Sequence, residues 1–364
     1  MMVITVSILF LTVLAAMLNT RTKQGVQIQE ESSHRKLFCI IASLLWIAIS
    51  SLRDESIGAD TASYKRHFEA LIHTPLPDLW RALVEAYTAD LEVKAPGYSV
   101  LTKLLQFISK DYRFLLLFIA VLFFAAMGVW IYRYSQMPYI SFLLFSTLFY
   151  SFYALTGHRQ TIATALVVFV GHELIKNRKF IPFLLLIFLV STIHNSSWCY
   201  LPVYFIYPIR GYSRRTYLFV LLITLFASVG MDSFWQGAAE FLGYGGMMDN
   251  DIGGTETFTF FYFLVFFVAI WRFPSIVASD PNGYHTFNIL FFGTILVLMA
   301  YINQSFMRVQ QYYTLHLMLL LPNIVTSFKG RERFIVGAVG CGLLLFLMIR
   351  NTPTYLFFWQ AINL

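Results

Sequence analysis

The sequence predicts an all-α polytopic membrane protein, and three observations carry that fold class. The 364-residue chain is 58% hydrophobic and 12% charged, with a mean hydropathy of +0.66. A soluble domain carries about twice that share of charge. Apolar runs of roughly 16–22 residues recur from one end to the other, each able to cross a hydrocarbon core of about 30 Å at 1.5 Å per helical residue. The short loops between runs also alternate in charge. One membrane domain, residues 1–364, is expected, with two large outer loops at 52–112 and 232–256.

About twelve spans are expected, at 2–18, 36–51, 113–132, 139–155, 160–175, 180–193, 197–208, 216–231, 257–271, 285–302, 309–327 and 334–349. The first has no basic residue before it, and Arg21 and Lys23 follow it, so it reads as a retained span rather than a signal peptide. Arg35, Lys36, Arg133, Lys176, Arg178, Lys179, Arg210, Arg214, Arg215, Arg272, Lys329, Arg331 and Arg333 fall in one set of loops. The short loops and tail of the other set hold Arg159, Arg308 and Arg350. Positive charge stays on the cytoplasmic side, which puts both termini outside. The net charge of +7 flanks spans and forms no nucleic-acid-binding module. Cys39, Cys199 and Cys341 lie in apolar runs and read as free buried thiols.

The stretch 180–208 is interrupted by His194-Asn195-Ser196-Ser197. One long pass would put Lys176/Arg178/Lys179 and Arg210/Arg214/Arg215 on opposite faces. Two short passes keep both clusters inside and set His194 at the floor of a pocket open to the outside. Short, broken helices of this kind mark substrate sites in membrane proteins. In the outer loop 52–112, Tyr64, Phe68 and Leu71 recur at helical spacing over Thr61–Ile72, which Pro75 and Pro77 end. Tyr98, Leu101, Leu105 and Ile108 repeat the pattern after Pro96-Gly97. Amphipathic helices on or dipping into the outer membrane surface are expected there. Residues 232–256 carry acids and glycines without Lys or Arg, as a mobile acidic loop would.

Three tight outer turns carry the reactive groups: Thr156-Gly157-His158-Arg159-Gln160, Ile193-His194-Asn195-Ser196 and Asn303-Gln304-Ser305-Phe306-Met307-Arg308. A fourth outer segment runs from Leu52-Arg53-Asp54-Glu55 to Asp60-Thr61. Emerging on one side, they can converge above the bundle. Cations around one cleft repel unless an anion lies between them, and Arg binds phosphate oxygens through a planar fork of donors. The plainer readings are that each Arg is a snorkelling anchor, Asp60 a helix N-cap, His194 a packing residue, and Gln160 a partner for helix ends. Spacing by itself leaves both sets open.

The segment Arg53-Asp54-Glu55-Ser56-Ile57-Gly58-Ala59-Asp60-Thr61-Ala62-Ser63-Tyr64, with Phe68 following, resembles the R-x-x-x-x-G-x-D-T-x-x-Y-x-x-x-F opening of the EpsG family. These are multispanning proteins of exopolysaccharide and O-antigen assembly, grouped with Wzy-type polymerases. His158-Arg159-Gln160-Thr161-Ile162-Ala163 resembles the family's R-Q-x-I-A element, and Ile193-His194-Asn195-Ser196 with Leu201-Pro202-Val203-Tyr204 its F-H-x-S…L-P-x-Y element. Arg308 to Tyr313 with Leu321-Pro322 is similar to the late R-x-x-x-Y-Y…L-P segment. Ile193 stands where the family has Phe, and Lys94 to Tyr98 follows the family's E-x-G-Y element only loosely.

The resemblance implies a glycosyltransferase that joins polyprenyl-pyrophosphate-linked repeat units at the outer face of a bacterial inner membrane. On that reading Arg159, Gln160 and Arg308, with Arg53, bind the pyrophosphate, and His194 or Asp60 takes the acceptor's proton. No cofactor and no metal are expected; the partners would be lipid-linked oligosaccharides and membrane lipids, beside a flippase and a chain-length regulator, and no nucleic acid. Two other classes compete. A flippase needs cations along a central cavity, whereas the span middles here are nearly charge-free. A membrane O-acyltransferase using His194 needs an inward route for its acyl donor.

Overall fold

The structure is a computed structural model that describes residues 6–8, 10–15, 28–89, 95–210, 213–230, 255–280, 282–302, 306–351 and 355–360. Those residues are helical or irregular, with a single antiparallel bridge, Arg53 to Phe357, in place of any strand. Residues 232–254 of the expected acidic loop, residues 2–5, 9 and 16–18 of the first span, and Asn303-Gln304-Ser305 lie outside them.

Helix α1 (Ile28–Ser51) packs along α5 (Tyr112–Tyr134), and between them in sequence come three shorter helices, α2 (Thr61–Leu71), α3 (Leu76–Thr88) and α4 (Pro96–Gln106). The chain then continues as α6 (138–153), α7 (158–176), α8 (Phe180–Ser191), a 3₁₀ segment Asn195–Tyr200 and the single turn α9 (Val203–Ile206). The last six are α10 (Arg214–Gly230), α11 (Thr255–Ser279), α12 (Gly283–Ile302), α13 (Phe306–Thr314), α14 (Leu317–Thr326) and α15 (Gly330–Asn351). Among the described residues, four helical stretches are long and apolar enough to cross a membrane: Ser33–Ser51, Tyr112–Tyr134, Phe258–Ser279 and Gly330–Ile349. The other apolar runs form shorter or interrupted helices. This is a multi-pass membrane protein.

Two interruptions are π-helical turns, Phe145–Phe149 inside α6 and Ala165–Val170 inside α7. Each inserts a residue and rotates the remainder of its helix by about 100°. In α6 the Ser146 and Thr147 hydroxyls bond back to the Phe142 and Leu143 carbonyls at 2.7 and 2.9 Å, which satisfies acceptors the wider turn releases. The run expected at 309–327 is likewise two helices, broken at Leu315-His316.

The segment 180–208 folds back on itself. Tyr204 Oη donates to the Arg178 carbonyl at 2.7 Å, the Arg178 guanidinium lies 4.1 Å from the Tyr204 ring centroid, and the Phe180 and Tyr204 rings are 5.0 Å apart. A continuous helix would separate residues 178 and 204 by about 39 Å. The two arms therefore run side by side with His194 at the tip. The return arm is the 3₁₀ segment plus α9 rather than a regular helix over 197–208.

The stretch 52–112 differs from expectation in two ways. Pro75 and Pro77 end one helix but also begin another: Pro75 sits at the N-cap position of α3, and Pro77 is in its first turn, where a missing N–H costs nothing. The apolar faces of α2 and α4 also pack on protein rather than lie free. Phe68, Tyr98 and Leu105 join Tyr112, Leu115, Leu116, Ile119, Ile162 and Ile193 in a second core beside the main one. Gly58 fixes where this lid enters: its φ is +95°, and a Cβ there would stand 1.9 Å from the Leu155 carbonyl oxygen.

The helices give the bundle two chemically distinct ends. Arg35, Arg133, Lys176, Arg178, Arg272 and Arg333 gather at one: Arg35 Nη2 donates to the Ser135 carbonyl at 2.7 Å, and Arg272 Nε to Ser327 Oγ at 3.2 Å. At the other, Ser50 Oγ donates to the Ala154 carbonyl at 2.7 Å, tying α1 to the turn that presents Arg159.

Candidate active site

The turn 154–157 is closed by the Phe152 carbonyl, which accepts from the amides of Thr156 and Gly157, both at 2.9 Å. A side chain at Gly157 would meet the Phe152 ring at 2.4 Å. This turn starts α7 and so aims His158, Arg159 and Gln160 in three directions.

His158 points inward and is buried. Arg53 Nη2 lies 3.0 Å from its Nε2. Because a guanidinium only donates, Nε2 accepts and the ring carries its proton on Nδ1. The His158 ring stacks on Tyr64 with centroids 4.2 Å apart and planes 12° apart. Arg159, half-buried, donates Nε to Tyr64 Oη at 3.3 Å. Arg53, His158, Tyr64 and Arg159 thus form one continuous relay from the bundle interior to the surface.

Gln160 reaches the other way. It is buried, and its Nε2 donates to the Arg308 carbonyl at 2.6 Å and to Gln311 Oε1 at 3.0 Å. The amide therefore fixes the first turn of α13 against α7, with the Arg308 side chain exposed. His194 lies at the hairpin tip, half-buried, with Nε2 enclosed and without a hydrogen-bond partner. Burial first, then the charges of Arg159 and Arg308, together push its imidazole down to about 3. Both guanidinium groups therefore act on this ring. The tip is held from α4, where Gly97 N donates to the Thr192 carbonyl at 3.0 Å, and from α13, where Tyr312 Oη lies 3.2 Å from Ser196 Oγ. His67 is part of the same surround; burial and then Arg159 lower its imidazole.

The structure thus brings Arg159, Gln160, Arg308 and His194 together. Arg53 joins them from behind rather than beside them. It is buried, bonded to the Ser50 carbonyl and His158, and burial lowers its guanidinium to about 10, so it stays cationic at neutral pH. Asp54 and Glu55, its sequence neighbours, face elsewhere: Asp54 Oδ1 accepts from Ser56 N at 2.9 Å, and Glu55 pairs with Lys65. Asp60 is exposed at the N-cap position of α2, where its side chain makes no cap bond. No hydrogen bond or ion pair among the described residues ties Asp60 to the arginines. Among those residues too, no three His, Cys, Asp or Glu side chains gather as a metal set, and neither Arg159 nor Arg308 is ion-paired.

Sequence reasoning missed His158, Tyr64 and Gln311. Tyr64 sits in the opening motif, but its helical spacing with Phe68 reads as an apolar face, and stacking on a histidine 94 positions away leaves no local signal.

These groups come from the same segments that carry the sequence motifs, and a family model covers all of them. It is that of the EpsG family, matched over residues 36–361. The chain belongs to the EpsG family. The match reaches from α1 to the residues after α15 and leaves out the N-terminal 35. No curated protein and no solved structure matches the chain.

Proposed function

We propose that this EpsG-family protein is a polysaccharide polymerase. It transfers a glycan from a polyprenyl pyrophosphate onto a hydroxyl of the next lipid-linked repeat unit. The single observation that carries this reading is the pair Arg159 and Arg308, two cations without a carboxylate partner among the described residues, both acting on one half-buried histidine. Breaking a sugar–pyrophosphate bond puts negative charge on the leaving oxygens, and fixed cations stabilise it where it develops. At about 4 Å and an effective dielectric near 20, each cation contributes up to about 4 kcal/mol before desolvation.

The acceptor oxygen attacks the anomeric carbon, its bond to the pyrophosphate oxygen breaks, and the lipid pyrophosphate leaves. His194 takes the acceptor's proton. In the free protein His194 is a poor base, because burial and then the charges of the two arginines oppose its protonation. An anion placed between them offsets that field, which raises the basicity of His194 once substrate is bound. Asp60 is the second candidate base. The end bearing Arg159 and Arg308 faces outside in this reading, with about twelve passes, both termini outside, and the protein in a bacterial inner membrane. A central cationic cavity, as a flippase would need, does not fit spans whose middles are nearly charge-free.

Arg159→Ala and Arg308→Ala should each abolish polymer while single lipid-linked repeats accumulate and protein levels hold. Lys at either site should restore activity only in part, since it lacks the bidentate fork. Polymer of parental length in both Ala variants would reduce the arginines to membrane anchors. Loss of even the single repeats from the surface would point to a flippase instead.

A further inference from the structure

At the end of the bundle away from Arg159, α1, the turn 135–137 and α15 enclose a cavity of about 520 Å³. Its rim is basic. Arg35 reaches the turn from α1 through Nη2 to the Ser135 carbonyl at 2.7 Å, and Arg333 reaches it from α15 with Nη2 3.9 Å from Met137 Sδ. Two guanidinium groups thus meet one turn, on residues whose Cα atoms are at most about 7.6 Å apart. His34 is on the same rim, no Asp or Glu lines the cavity, and neither arginine is ion-paired among the described residues.

Basic residues at a bundle end are ordinarily membrane anchors. Two further observations set this group apart. Arg35 Nε and His34 Nδ1, on two of the lining residues, are enclosed without hydrogen-bond partners among the described residues. Inward of the rim the walls turn apolar, and a second space of about 200 Å³ shares Phe38 and Tyr139 with the first and runs on along Phe142 and Leu143. The cavity also opens sideways to lipid, because only 11% of the apolar stretch of α15 is buried and Phe334 beside the opening is 76% exposed. An anionic head above an apolar slot describes an amphiphile rather than a free ion or a protein segment.

We propose that this cavity binds an anionic phospholipid, its phosphate on Arg35, Arg333 and His34 and an acyl chain in the slot along Phe38 and Phe142. The site is separate from the Arg159–Arg308 cluster, and its occupant is a component of the leaflet at that end.

The test uses the full chain in a neutral detergent, by native mass spectrometry and thermal unfolding. Phosphatidylglycerol should be retained on the protein and raise its Tm, and phosphatidylcholine of the same chains should do neither. Arg333→Gln, a change at an exposed residue, should weaken retention about tenfold; adding Arg35→Gln should erase the preference. Arg331→Gln, exposed on the same helix but not on the cavity, should leave it unchanged. Equal effects of the two lipids would overturn the proposal, as would an Arg331→Gln loss equal to that of Arg333→Gln. So would stabilisation by inorganic phosphate alone or by polyprenyl phosphate alone, which would mark a free-anion or a substrate site.

Discussion

Gln160 is where a substitution that leaves both arginines in place should test positioning, with Gln160→Leu as the charge-neutral arm beside Gln160→Glu. Gln160→Glu keeps the side chain's shape but replaces the Nε2 donor by an oxygen. That oxygen would face the Arg308 carbonyl at 2.6 Å and Gln311 Oε1 at 3.0 Å, acceptor against acceptor. Each lost hydrogen bond costs about 1 kcal/mol net, and a buried acceptor left unpaired about 1–3 kcal/mol. The first turn of α13 must then move away from α7 and carry Arg308 with it. With an effective dielectric near 20, withdrawing a cation from about 4 Å to about 6 Å lowers its attraction from about 4 to about 3 kcal/mol. A loss near 1.4 kcal/mol is tenfold in rate. Polymerisation by purified protein in nanodiscs should therefore fall about tenfold in kcat for Gln160→Glu, with Arg308 itself intact. Gln160→Leu, which relieves the repulsion but leaves both acceptors unpaired, should fall between the parent and Glu. A Glu variant with parental kcat and parental stability would refute the argument that Gln160 positions Arg308.

Three other outcomes are expected from the geometry. Arg53→Met should lower stability by about 1–3 kcal/mol through the unpaired His158 Nε2 and Ser50 carbonyl, yet reduce kcat less than Arg159→Ala, as thermal unfolding and single-turnover rates will show. Gly58→Ala should cost about 3 kcal/mol or more, because +95° is strained for alanine and its methyl would lie 1.9 Å from the Leu155 oxygen; folded yield normal at growth temperature would contradict the closeness of that approach. For His194 the folded value, about 3, lies below the ordinary value near 6.5. Below pH 6.5 the unfolded chain binds a proton that the folded chain refuses, so stability falls from pH 6.5 toward 3 and is unaffected by this group above 6.5. His194→Asn should flatten that acid limb of the unfolding profile; an unchanged slope would show that the ring titrates normally.

The hairpin 180–206 shows how far a charge argument reaches. Lys176/Arg178/Lys179 and Arg210/Arg214/Arg215 demand the same end of the bundle, and that demand is legible because a buried cation is costly wherever it sits. What replaces the second short pass is not legible. The 3₁₀ segment and α9 hold together through Tyr204 on Arg178 and Tyr312 on Ser196, contacts between residues 26 and 116 apart.

Composition and apolar periodicity by themselves determined that the chain is a helical membrane protein, and the loop charges separated its two ends, because transfer out of water acts on each run independently of its neighbours. The motifs determined the family and named Arg159, Gln160, Arg308 and His194. Only the tertiary structure decided how these act together: that Arg53 stands behind His158, that Tyr64 holds Arg159, and that Gln160 locks α13 to α7. Each of those depends on hydrogen bonds whose partners lie 95 to 148 residues away. Local spacing carries no trace of a partner that only folding brings within hydrogen-bond reach.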